Sequence, residues 1–73
     1  MAKHKISARE LREKSNEELE ELLREFRTEL IVLRHKAAVG VLENPGRLRE
    51  LRKNIARILT VLKERELEGI AKS

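Results

Sequence analysis

In this 73-residue chain the side chains best able to do chemistry are its bases. Arg49, Lys53 and Arg57 recur in steps of four, so on a helix they stack along one line. Arg47, Arg52 and Lys63 lie off that line, nearer the edges of the opposite, apolar stripe. Ala56 falls within the basic face and is small enough to let another backbone approach. Glu50 is the only acid among the 17 residues from Gly46 to Leu62, so these bases cannot neutralise one another with local carboxylates. Guanidinium forks and an ammonium in such a row suit phosphate oxygens, with bidentate contacts from each Arg. An ordinary solvated helix face is the competing reading, and it expects interspersed acids that are missing here. Arg34 and Lys36 precede a turn signal, which should bring them close to Arg47 in space.

Other chemistries lack their residues. His4 and His35 sit on unrelated elements and make no predictable metal pair. Cysteine is absent, which removes disulfides and thiolate metal sites. A single Phe, with no Trp or Tyr, excludes aromatic platforms for stacking bases. Ser7 and Ser15 are better placed as helix caps than as nucleophiles, and Gly40 and Gly46 do not match a phosphate-cradling loop. The strongest enzyme reading is a helical mutase of the chorismate type. It needs inward-facing bases, whereas these lie outside the apolar seam.

Positioning such a face requires helices, and the punctuation supplies three. Ser7 to Glu10 and Ser15 to Glu18 each fit a capping box, with Ile6 and Leu11 able to form a hydrophobic staple around the first. Gly40 suits a helix C-terminus. Asn44-Pro45 starts the next helix as an N-cap followed by a proline at the first helical position. The expectation is one domain over residues 1–73: a short helix at 7–14, a long helix at 16–39, a loop at 40–44 and a long helix at 45–67 closed by Gly69. The second helix carries a stripe of Leu19, Leu22, Leu23, Phe26, Leu30, Leu33 and Ala37. The third carries Leu48, Leu51, Ile55, Ile58, Leu59 and Leu62. A short loop makes the two antiparallel neighbours, so the fold class is all-α: a two-long-helix hairpin preceded by a short N-terminal helix.

Charge is segregated along this hairpin. The net +4 conceals +3 in residues 1–14, −4 in residues 15–30, +6 in residues 31–63 and −1 in residues 64–73. The second helix presents Glu18, Glu21, Glu25 and Glu29 as an acidic face, while Ile31 and Val32 leave the apolar stripe and suggest a partner-facing edge. All 13 acids are Glu, and charged residues make up 41% of the chain, a helix-forming composition that also resembles a thermophile's. No apolar run approaches the ~20 residues of a membrane span, and no secretory signal is visible, so a cytosolic protein is expected. A chain of this size buries only about 60% of its unfolded surface. A third surface, supplied by a partner, is the expected remedy for so thin a core.

The stretch Leu42-Glu43-Asn44-Pro45-Gly46-Arg47-Leu48-Arg49-Glu50-Leu51-Arg52-Lys53-Asn54-Ile55-Ala56-Arg57-Ile58, with Leu59 to Arg65 after it, resembles the signature of the universal large-subunit ribosomal protein twenty-nine family. Ser7 to Leu11, Ser15 to Leu22, and Leu33-Arg34 before Gly40 extend the resemblance over about residues 5–67, with a flavour more archaeal than bacterial. The resemblance implies a non-catalytic, cofactor-free constituent of the cytoplasmic ribosome. It implies binding to large-subunit (23S-type) rRNA near the polypeptide exit, beside ribosomal protein twenty-three, in a docking region for nascent-chain factors such as the signal recognition particle. Asn44, Arg47, Arg52 and Arg57 match the signature's polar positions and Arg34 its basic position before the loop; Lys53 is basic as expected, and Arg49 fits by type. Lys36 joins them as a candidate from charge and placement. His35-Lys36 and Val41 depart from the family pattern, which weakens the case for contacts made by the loop. The rival from another class is a hairpin that dimerises into a four-helix bundle.

Overall fold

A computed structural model describes the backbone of residues 6–72 and the side chains of residues 6–69. His4 and the bases Lys3 and Lys5 lie outside the described residues. Three helices follow in order: α1 (Ala8–Arg12), α2 (Asn16–Ala38) and α3 (Pro45–Lys72).

Both capping boxes form. The Ser7 N–H donates to Glu10 Oε1 at 3.0 Å while the Glu10 N–H donates to Ser7 Oγ at 3.2 Å. Ser15 and Glu18 repeat the exchange at 2.8 and 3.1 Å. The Ser15 backbone N–H holds the Glu18 carboxyl below the ordinary glutamate range, and the Lys14 charge acts the same way. α1 covers five residues, shorter than expected, because Glu13 caps it and the Ser15 cap follows at once.

At the other end of α2, Gly40 adopts φ +78°. That left-handed residue lets the Gly40 N–H donate to Ala37 O at 3.2 Å and the Val41 N–H to Lys36 O at 2.9 Å, a Schellman closure of orphan carbonyls. Asn44 then opens α3, its Oδ1 accepting the Arg47 N–H at 3.3 Å. α3 outruns the expected end near Leu67. Gly69 stays helical instead of closing it, at a cost of about 1 kcal/mol relative to alanine. Among the described residues Gly40 is the only glycine with positive φ, the conformation a glycine stop requires.

Glu29 meets Arg47 near the turn and Asn16 meets Arg65 at the far end, so α2 and α3 run antiparallel. Leu19, Leu23 and Phe26 of α2 pack with Leu51, Ile58 and Val61 of α3, and Leu11 of α1 is fully enclosed with them. Ile6 packs partly buried against the same cluster, as a staple with Leu11 requires. α1 thus supplies part of the third surface that was expected from a partner alone. It also turns the buried side of α3: Asn54 and Val61 are inside, whereas Leu59, placed on the apolar stripe by spacing, is exposed. Ala37 is exposed as well, because in the register set by Glu29 and Arg47 α3 begins too late to face it. The molecule is a slat of 50 × 24 × 16 Å.

Candidate nucleic-acid interface

The outer side of α3 carries the basic row. Arg49, Arg52 and Lys53 are exposed, and the structure gives them no ion pair or side-chain hydrogen bond among the described residues. From Arg49 to Arg57 the row is about 12 Å long at 1.5 Å per residue, enough to span several successive phosphates of a nucleic-acid strand. Arg57 differs from its neighbours. It is half-buried, and its Nη1 donates to the side-chain oxygen of Asn54 at 3.2 Å. Lys63 lies further along and pairs with Glu66 at 3.7 Å, both well exposed, a pair that does little for stability.

A second group of candidates gathers at the hairpin tip. Lys36, Asn44 and Arg47 line one shallow recess, floored in part by Leu33 and Leu42. Lys36 therefore lies beside Arg47 as its sequence position suggests, while Arg34 stays exposed on α2 outside that recess. Two of the three polar groups are already engaged. Asn44 uses its Oδ1 as the cap of α3. Arg47 donates from Nε to Glu29 Oε2 at 2.8 Å and from Nη2 to Glu29 Oε1 at 2.9 Å. That fork holds the Glu29 carboxyl below its ordinary range and lifts the Arg47 guanidinium further above its own. The eight candidates thus split into an open face of four residues on α3, a tip recess of three, and Arg34 apart.

The opposite flank is acidic. Glu18, Glu21 and Glu25 are exposed on α2, but Glu29 turns toward α3 to meet Arg47. Ile31 and Val32 are exposed at 68% and 48% of their surface, on the α2 flank that neither α1 nor α3 covers.

Two further polar side chains make contacts that the sequence pattern does not announce. Arg65 reaches across to the junction of the first two helices: Nη1 donates to Asn16 Oδ1 at 2.6 Å, and Nη2 donates to Lys14 O at 2.7 Å and Arg12 O at 3.1 Å. Asn54 is buried at 1% exposure. Both fall on the seam period, three residues after Leu51 and seven after Ile58, so a polar residue at an apolar position was the available signal.

What this arrangement can do is hold a polyanion against α3. The hydroxyls of Ser7 and Ser15 accept backbone N–H groups as helix caps.

Comparison with known proteins adds a family. A model described as Ribosomal L29 protein matches residues 9–65. The chain is similar to the large ribosomal subunit protein uL29 of Aeropyrum pernix, with 60% identity over 65 residues, covering 89% of this chain and 92% of that one. It is also similar to the protein of the same name from Caldanaerobacter subterraneus, 55% identical over 62 residues, covering 85% and 94% of the two chains. The counterpart from Cutibacterium acnes is 57% identical over 63 residues, covering 86% and 82%.

Proposed function

Since the chain belongs to the ribosomal L29 protein family, we propose that the outer face of α3 is the surface it lays against large-subunit rRNA. Membership makes it a structural constituent of the large ribosomal subunit in the cytoplasm, with rRNA and ribosomal proteins as partners, and not an enzyme. The observation that carries the proposal is the set of exposed bases Arg49, Arg52 and Lys53, left without partners among the described residues while the tip residue Arg47 is paired. The bases that brace the fold have partners within it, Arg47 on Glu29 and Arg65 on Asn16 and two backbone carbonyls; these point outward beside the half-buried Arg57.

The mechanism is recognition of phosphate positions and of folded RNA shape by a preformed helix. Arg49, Arg52, Lys53 and Arg57 contact phosphates. Lys36 and Arg34 extend the positive surface toward the tip. Asn44 and Arg47 set the angle of α3 and offer their remaining N–H groups. The family resemblance extends this reading to a seat near the polypeptide exit beside ribosomal protein twenty-three, within reach of the signal recognition particle. The exposed Ile31 and Val32 give such a protein neighbour an apolar edge to cover.

Titration of the free protein with a 23S-type rRNA transcript at several salt concentrations tests the proposal. Affinity should fall linearly with salt on logarithmic axes and weaken when the outer bases of α3 are neutralised. A tight, salt-insensitive homodimer in sedimentation that ignores the transcript would establish the four-helix bundle instead.

A further inference from the structure

Asn54 is an anomaly in the seam. It stands between Leu51 and Ile58 on the buried side of α3, where the helical repeat calls for an apolar residue, and it is 1% exposed. Its Nδ2 finds no acceptor among the described residues. A buried donor without a partner lowers stability, and a leucine, which has the same branched shape and no polar atoms, would remove that loss. The other end of the amide does have a partner. Oδ1 accepts from Nη1 of Arg57, one turn further along the helix.

Arg57 has no carboxylate partner among the described residues, and it is the only base of the α3 row that is half-buried. The bond from Asn54 fixes one arm of its guanidinium at the edge of the seam and leaves Nε and Nη2 to other acceptors. A planar fork held in this way loses less conformational freedom when it closes on a phosphate than a free one would.

We infer that Asn54 is a positioning residue for RNA binding: a buried amide that aims the Arg57 guanidinium at a phosphate, kept at the expense of the free protein's stability. The inference rests on the reading of α3 as the rRNA face.

A double-mutant cycle on Asn54 and Arg57 tests it, read as affinity for a full-length 23S-type rRNA transcript in the presence of competitor tRNA. Asn54→Leu should raise the melting temperature of the free protein while weakening binding about two- to tenfold, the range expected for releasing one rotamer-rich side chain. Asn54→Ala removes the same amide but leaves a cavity, so it should be less stable than the leucine variant yet lose the same affinity. In an Arg57→Ala background neither substitution should weaken binding further. Losses that add independently of Arg57, or that follow melting temperature, overturn the inference and make Asn54 a packing residue. Unchanged affinity in Asn54→Leu overturns it too, while leaving the rRNA reading intact. Failure of the unmodified protein to bind the transcript overturns both.

Discussion

Glu29 and Arg47 face each other across the hairpin, 18 residues apart in sequence and joined by two parallel hydrogen bonds of 2.8 and 2.9 Å. The pair stands where α3 begins, one turn from the Asn44 cap, and it fixes how the basic helix leaves the turn. An arginine proposed as an rRNA contact is therefore also a strut of the fold.

Breaking that strut should cost about 1 kcal/mol or less, since both side chains remain partly open to solvent. Arg47→Ala and Glu29→Gln should each lower stability in urea denaturation, and the double variant should be no worse than the poorer single one. Additive losses would mean that the two side chains do not act as a pair.

Acid should reveal the same contact. Glu29 sits below its ordinary value of 4.5, chiefly through the Arg47 hydrogen bonds, and Glu18 is lowered by the Ser15 backbone N–H. A carboxyl that ionises more readily when folded stabilises fully above its unfolded value, and that contribution drains away as pH falls through the folded one. The melting temperature of the unmodified protein should exceed that of Glu29→Gln by a constant margin above about pH 5, and the margin should shrink steadily in more acid solution. A margin independent of pH would show that the carboxylate charge contributes nothing.

Arg65→Ala should loosen α1. The substitution strips hydrogen bonds from the Arg12 and Lys14 carbonyls and from Asn16, a loss of about 1–3 kcal/mol for bonds made by a charged donor. Hydrogen exchange should quicken first in residues 8–16, ahead of the α2–α3 seam. Arg65→Lys should not restore protection, because an ammonium cannot span three acceptors with a planar fork. Full rescue by lysine would reduce the role of Arg65 to its charge.

The outer bases of α3 should behave in the opposite way. Arg49→Ala, Arg52→Ala and Lys53→Ala should each leave stability within about 0.5 kcal/mol. Each should flatten the salt dependence of rRNA binding by about one unit or slightly less. Loss of stability without any change in salt slope would move these residues from the interface to the fold.

The two informative glycines should diverge. Gly40→Ala forces a side chain into φ +78° and should cost about 1–2 kcal/mol in thermal unfolding. Gly69→Ala replaces a helical glycine whose added Cβ meets nothing within 4 Å, and should gain about 0.5–1 kcal/mol. The same sign at both positions would contradict the assigned backbone conformations.

That pair also marks where sequence reasoning holds and where it slips. A glycine is read as a stop only when its neighbours cooperate. Gly40 is followed by Val41 and then by Asn44-Pro45, which begin something new, whereas nothing after Gly69 forces the chain out of a helix. The caps were legible because each is completed within four residues. The basic face was legible because it depends on period alone. Leu59 and Val61 were exchanged for a different reason: the spacing of a two-helix seam carries no knowledge of α1, which packs on α3 and draws the buried side toward Asn54 and Val61. The Glu29–Arg47 fork and the reach of Arg65 over 49 residues depend on the register of the hairpin, which no local pattern specifies.

Acids on the outer side of α2 and bases on the outer side of α3 have one more consequence, because the two faces look away from each other across a slat 50 Å long. With bases gathered toward the tip and the first half of α3, and acids at the start of α2 and the end of α3, such a body carries an electric dipole along its length as well as across it. Approaching a polyanion, it experiences a torque that rotates the basic edge inward before any atoms touch, so productive collisions exceed the share that random tumbling would allow. Salt would erode this advantage in the arrival rate as well as in the final affinity. The segregation of charge thus acts as a compass during assembly.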